Sequence, residues 1–281
     1  MIEEQMNFPI EFTKMSGTGN DFIVIDHRKP FLTKEAMGIF AKAVCRHKFS
    51  VGADGLILIE NADQADFRWH FYNADGSEAE MCGNGARCAA RFAHSKGIAP
   101  EKMRFLTIAG EIRAEVTGSS VKLEMTPPTN LALDQRVELD GMARTVHFLN
   151  TGVPHAVCFV DANQNTPVKN WGAAIRFHEL FQPAGTNANF VEVLGPDSLH
   201  VRTYERGVED ETMACGTGAV ASAIIAGLLG RVKAPVTVTT SGGEKLVIHF
   251  VLEDGGAFSG VCLEGPAHFI YDGLLHAEAI A

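Results

Sequence analysis

Two short turns of the same make-up stand in corresponding places in the two halves of this 281-residue chain. Met81-Cys82-Gly83-Asn84-Gly85-Ala86 follows a strand-like run ending in Phe71-Tyr72-Asn73, and Ala214-Cys215-Gly216-Thr217-Gly218-Ala219 follows one ending in Thr203-Tyr204-Glu205. Upstream, Gly19-Asn20-Asp21-Phe22 opens a strand in the first half and Asn187-Ala188-Asn189-Phe190 opens one in the second. Such a repeat restricts the fold to two similar units. We expect them to be related by a pseudo-two-fold axis, with both C-G-x-G-A turns facing one cleft.

Alternating or β-branched runs predict strands at Phe22–Asp26, Leu56–Glu60, Phe67–Tyr72, Val121–Met125, Ala156–Val160, Phe190–Val193, Leu199–Tyr204, Val236–Thr240 and Leu246–Val251. Helices are expected at about Lys34 to Arg46, after Gly85 to near Gly97, and after Gly218 to near Gly230. Strands outnumber helices and often follow one another, so the fold class is α+β. Pro127-Pro128-Thr129-Asn130 is the expected linker. It separates a first domain, 1–128, completed by 268–281, from a second, 129–267.

One C-G-x-G-A turn has a definite chemistry. Its glycines leave the backbone uncluttered where a helix starts, and helix-start amides favour an anion. A cysteine there feels the same field, and its pKa can fall from about 8.5 into a range of roughly 3.5–7.5. A single copy reads equally well as a buried cysteine in a turn. Two copies in equivalent places point to stereochemical inversion, which needs a base on one face of a carbon and an acid on the other. A hydrolase or transferase needs only one thiol. Cys82 and Cys215 are therefore the candidate catalytic pair.

The competing chemistries find less support. Gly216-Thr217-Gly218-Ala219-Val220-Ala221 fits the loose G-x-G-x-x-A dinucleotide fingerprint, but the residues before it are loop-like and no acidic residue follows until Glu244. No C-x-x-C or H-E-x-x-H occurs, so no metal site is expected. A pyridoxal enzyme would need only one of the lysines. The formal charge of −10 disfavours nucleic acid and anionic membrane as partners, and no apolar run is long enough for a membrane span. The amino terminus lacks a basic-then-apolar leader pattern, so a cytoplasmic location and reduced thiols are expected.

His155, in a turn entering a strand, and Glu205, before the second cysteine turn, are placed to tune the thiols. Asn20, Asn73, Asn187 and Arg206 stand where strands meet turns. Arginine there would grip a carboxylate in a bidentate fork.

Lys14-Met15-Ser16-Gly17-Thr18-Gly19-Asn20-Asp21-Phe22 resembles the amino-terminal motif of diaminopimelate epimerases. Asn73-Ala74-Asp75-Gly76-Ser77-Glu78 with the Cys82 turn is similar to that family's first cysteine signature. Gly185-Thr186-Asn187 with Asn189-Phe190-Val191 resembles a further motif, and Arg202 to Gly207 with the Cys215 turn resembles the last. The resemblance spans about Phe12 to Ala267. It implies two pseudo-symmetric domains, each a mixed or antiparallel barrel-like sheet around a central helix. It implies epimerisation of LL-2,6-diaminopimelate to meso-diaminopimelate with no pyridoxal phosphate, other cofactor or metal, in lysine and peptidoglycan precursor biosynthesis. Cys82 and Cys215 would be proton donor and acceptor in that direction, exchanging roles in reverse, with His155 and Glu205 modulating the thiols. Substrate contacts would come from Asn20, Asn73, Gly83, Asn84, Asn187, Glu205, Arg206, Gly216 and Thr217, and a homodimer would follow. Two positions depart from the pattern of some members. Gly55 stands where some carry glutamine, and Val153 where many carry asparagine.

Overall fold

The computed structural model describes residues 6–253 and 257–281. In chain order the elements are β1 (Ile10–Gly17), β2 (Asn20–Asp26), α1 (Lys34–Val44), β3 (Gly55–Glu60), β4 (Phe67–Asn73), α2 (Gly83–Ser95), β5 (Lys102–Thr107), β6 (Gly110–Thr117) and β7 (Ser120–Glu124). There follow β8 (Thr129–Leu139), β9 (Met142–Asn150), β10 (Pro154–Phe159), α3 (Val168–Arg176), β11 (Asn187–Gly195), β12 (Ser198–Glu205), β13 (Asp210–Thr212), α4 (Gly216–Leu228), β14 (Val236–Thr240), β15 (Lys245–Leu252), β16 (Phe258–Pro266) and β17 (His268–Leu275). The chain folds into two compact units, Met1–Leu123 with Gly265–Ala281, and Glu124–Glu264.

In the first unit the strands run in the order β17-β1-β2-β3-β4-β5-β6-β7. Two neighbouring pairs are parallel, β2 with β3 and β4 with β5, and the chain crosses over through α1 and α2 respectively. Strand alternation sends Phe22, Val24, Ile57 and Ile59 toward α2, and Ile23, Ile25, Leu56 and Leu58 toward α1. Both faces are thus buried, which explains the unbroken apolar runs in β2 and β3. Residues from β1 to β7 pack on α2, so the sheet curls round that helix.

The second unit repeats the scheme. Its order is β8-β9-β10-β11-β12-β14-β15-β16, with parallel pairs β10–β11 and β12–β14 spanned by α3 and α4. The small β13 flanks β12. The helix α4 is buried from Gly218 to Gly227 and packs against β9 to β12 and β14 to β16. Its sequence is apolar all round, as a helix enclosed by a sheet requires. The class is α+β, and the two units are pseudo-symmetric in topology.

The registers align the two units residue by residue. Phe22 pairs with Gly55 and His155 with Asn187; Ile57 pairs with Phe71 and Asn189 with Thr203. Phe22, Ile57 and Phe71 therefore occupy the places of His155, Asn189 and Thr203, and Asn73 that of Glu205. This corrects one part of the repeat read from sequence. The cysteine turns do correspond, because each joins a matched strand to a matched helix. The asparagine turns do not: β2 is matched by β10, and β11 by β3.

The nine expected strands and three expected helices are present, with ends shifted by a few residues at most. The strands not anticipated are β1, β5, β6, β8, β9, β13, β16 and β17. Several carry charged or exposed faces: in β8 only Val137 and Leu139 are buried, and in β17 only Leu275. Helix α3 was also missed, although Val168, Trp171, Gly172 and Ile175 form a buried i, i+3, i+4, i+7 stripe. Pro127 and Pro128 lie between β7 and β8, whereas Thr129 and Asn130 already belong to β8, and the unit boundary falls after Leu123. Among the described residues no helix is long and apolar enough to cross a membrane.

Candidate active site

In the first unit Cys82 is the N-cap of α2, with an extended backbone (φ −146°, ψ 117°). The Gly85 amide donates to Cys82 Sγ at 3.5 Å, so sulfur takes the position that oxygen usually takes at a helix start. A side chain at Gly83 would meet no atom within 4 Å, so the first turn of α2 opens onto free space. The β1–β2 hairpin turns through Thr18 and Gly19, both with positive φ (52° and 89°), and so places Asn20. Asn20 and Asn84 brace each other. Asn84 Nδ2 donates to Asn20 Oδ1 at 2.8 Å, Asn20 Nδ2 to Asp54 Oδ2 at 2.9 Å, and Arg87 Nη2 to Asn84 Oδ1 at 2.8 Å. Both side chains are thus held by the protein. Exposed Asn73 ends β4 and donates to Ser77 Oγ at 3.0 Å.

In the second unit Cys215 is the N-cap of α4 (φ −126°, ψ 105°), half-buried, with Sγ 3.5 Å from Thr217 Oγ1. The expectation of a lowered thiol pKa is reversed here. Burial pushes Cys215 up to about 12 and the Glu205 carboxylate pushes the same way. The Thr217 hydroxyl and the Gly218 and Thr217 amides oppose them without winning. At this sulfur desolvation of the anion outweighs the helix-start amides. Glu205 is itself raised by burial, which outweighs the opposing pull of the nearby Thr212 hydroxyl.

His155 bears on Cys215 through one intervening residue, Thr217, whose hydroxyl contacts both side chains. Fully buried, its Nε2 lies 2.9 Å from Thr217 Oγ1 and its Nδ1 3.2 Å from Asn189 Nδ2. Burial, helped by the Arg206 charge, brings its pKa down to about 3, so the ring is neutral at physiological pH. Sequence reasoning missed Asn189 and the bridging role of the Thr217 hydroxyl. The available signal was a polar residue on the buried face of an otherwise apolar strand, since Asn189 is fully buried.

Asn187 is buried as well. Its Nδ2 donates to Pro154 O at 3.0 Å and its Oδ1 accepts the Arg206 amide at 2.8 Å, while Arg206 Nη1 donates to Ala184 O at 2.9 Å. Asn187 thus anchors the backbone that carries Glu205 and Arg206. At Gly55 a side chain would fall 2.6 Å from the Phe71 ring and 2.8 Å from Tyr72 O, so Phe71 fills the space a longer residue would claim. Among the described residues no group of three or more histidine, cysteine, aspartate or glutamate side chains is arranged to hold a metal ion.

Solved structures sharing this fold include a phenazine biosynthesis protein of the PhzF family from Bacillus anthracis and a hydroxyproline epimerase from Agrobacterium vitis with bound trans-4-hydroxy-L-proline. The first has a TM-score of 0.71 at 13% identity, covering 96% of this chain and 100% of the other. The second has a TM-score of 0.66 at 15% identity, covering 96% and 93%. They define the fold class. Sequence narrows it. Residues 12–131 and 147–270 match the diaminopimelate epimerase family. A diaminopimelate epimerase of Aquifex aeolicus is 49% identical over 96% of this chain and 99% of its own length, and one of Archaeoglobus fulgidus is 41% identical over 96% and 98%. The chain belongs to the diaminopimelate epimerase family and is an isomerase.

Proposed function

We propose that this chain interconverts LL-2,6-diaminopimelate and meso-diaminopimelate through the thiols of Cys82 and Cys215, without pyridoxal phosphate or metal. The observation that supports this reading best is the matched placement of the thiols. Each caps the central helix of one of two pseudo-symmetric units. One thiolate takes the α-proton and the other thiol returns a proton to the opposite face. Burial keeps Cys215 protonated at rest, the form that serves the meso-to-LL direction. In the LL-to-meso direction Cys215 must be ionised, and a thiol with so high a pKa becomes a strong base once it is.

The α-carboxylate gains charge as the proton leaves. Amides at Gly83 and Asn84 and at Gly216 and Thr217 start the two central helices and are suited to hold it, strengthening their hydrogen bonds as that charge develops. Glu205 and Arg206 supply a carboxylate and a guanidinium for the distal ammonium and carboxylate of the substrate. Asn187 holds their backbone, and Asn20 and Asn73 complete the polar set. The same reading places the enzyme in the cytoplasm as a homodimer, within lysine and peptidoglycan precursor biosynthesis.

The test is incubation of the purified protein with LL-diaminopimelate, proline or lysine, followed by chiral separation. The reading expects meso-diaminopimelate and slow or no inversion of the other two. Preferential inversion of proline or lysine would replace it with a general amino-acid racemase.

A further inference from the structure

The two cysteine turns rest on different chemistry. In the first unit Gly85 lies on Ile57, Phe22 and Trp69, with Phe22 and Phe71 edge-to-face at 5.9 Å. In the second unit the places of Phe22, Ile57 and Phe71 are taken by His155, Asn189 and Thr203, all buried. Three apolar core residues on one side are thus three polar ones on the other. An apolar seat suffices for the fold, so the polar set has another reason to be there.

Its hydrogen bonds have one consistent direction. The Ala156 carbonyl, 2.9 Å away, can only accept, so it fixes the Asn189 amide with Nδ2 toward it. Thr203 Oγ1 then donates to Asn189 Oδ1 at 2.9 Å. The second Nδ2 hydrogen faces His155 Nδ1, which must accept. In a neutral ring the proton then sits on Nε2, which donates to Thr217 Oγ1. Accepting from His155 through one oxygen lone pair, the Thr217 hydroxyl keeps its own proton available for Cys215 Sγ. Glu205 and Arg206 are the charged groups that bear on this chain, the first on the sulfur and the second on the ring.

We propose that Asn189 is a positioning residue for the reaction: by holding His155 in its Nε2–H form, it aims the Thr217 hydroxyl proton at Cys215 and so stabilises the thiolate with a neutral histidine. The proposal rests on the reading of Cys215 as an acid–base thiol, but its test needs no turnover.

Iodoacetamide alkylation of Cys215, located by peptide mass spectrometry at one fixed pH below the thiol pKa, reports the thiolate fraction. It is measured in the wild type, Asn189→Ala, Thr217→Val and the double variant. Nitrogen-15 spectra of labelled histidine, assigned with His155→Gln, report the tautomer. We expect a wild-type ring protonated at Nε2 and bare at Nδ1, and an Nδ1–H population in Asn189→Ala. Alkylation in that variant should slow roughly ten- to a hundredfold, the span of one hydrogen bond to a charged group. In the Thr217→Val background Asn189→Ala should change nothing further, because the path to sulfur is already cut. A wild-type ring protonated at Nδ1, an unchanged alkylation rate in Asn189→Ala, or the same slowing with and without the Thr217 hydroxyl would each overturn the proposal. Failure of the epimerase reading would appear separately, as absence of meso product from LL-diaminopimelate.

Discussion

Asn189 and Gly218 are in direct contact: the side-chain oxygen of Asn189 occupies the space in which a side chain at 218 would begin. The equivalent Gly85 has ordinary neighbours instead, with Ile57, Phe22 and Trp69 carbons 3.4–3.5 Å from a would-be Cβ. The same motif glycine is therefore a steric requirement in one unit and a tolerance in the other. Gly218→Ala should lose about 1–3 kcal/mol through overpacking. Gly85→Ala should be close to neutral, since it adds no clash and alanine favours a helix by up to about 1 kcal/mol. Urea denaturation of both variants checks the difference.

Gly83 separates function from stability. Its Cβ position is open, so Gly83→Ala should fold and melt like the wild type. If the α2 amides hold the reacting carboxylate, the added methyl stands in its way. Losing one such donor costs about 2.7–4 kcal/mol of transition-state stabilisation. The expected outcome is kcat reduced by roughly 10²–10³ at unchanged Tm. An unchanged kcat with a raised KM would show that the carboxylate is held elsewhere.

His155 gives stability a defined pH dependence. Its pKa falls from 6.5 in the unfolded chain to about 3 in the native state, because burial disfavours the charged ring. Between those values the unfolded chain binds the extra proton. The contribution is therefore complete above about pH 6.5, declines as pH falls toward 3, and is flat below. The slope within the window approaches one proton, or about 1.4 kcal/mol per pH unit. Denaturation midpoints from pH 7 to pH 4 for the wild type and His155→Gln should show a steeper decline in the wild type.

Arg206 supplies the guanidinium expected to meet the distal carboxylate. Lysine would keep the charge but lose the planar fork. Arg206→Lys should raise KM for diaminopimelate by about tenfold or more, as expected for loss of a hydrogen bond to a charged group. Slow turnover of proline should be indifferent to the change. Comparison of kcat/KM for the two substrates in the two proteins checks this.

The legible parts of the molecule were those where burial is two-sided. The runs Phe22–Asp26 and Leu56–Glu60 announce strands because helices cover both their faces. The two cysteine turns are legible because helix starts leave a signature in glycine. Strands such as β8 and β17 were not, since most of their side chains face outward and no alternation marks them. The thiol environment was legible only in part. His155 and Glu205 stand close to Cys215 in effect, yet the Thr217 bridge and the Asn189 contact depend on strand register that spacing alone does not define. The upward shift at Cys215 was not foreseen because a motif reveals the helix amides but not the desolvation that outweighs them.

The central claim is that Cys82 and Cys215 form one acid–base pair. It is tested most directly by following LL-diaminopimelate in deuterated water with the wild type, Cys82→Ala and Cys215→Ala. The account predicts that wild-type meso product carries solvent deuterium at the inverted carbon, because the donor thiol exchanges with solvent. Each single variant should form meso product at least about 100-fold more slowly, the lower end of what one acid–base group contributes. Meso product without solvent deuterium, or a wild-type rate of inversion in either variant, would contradict it.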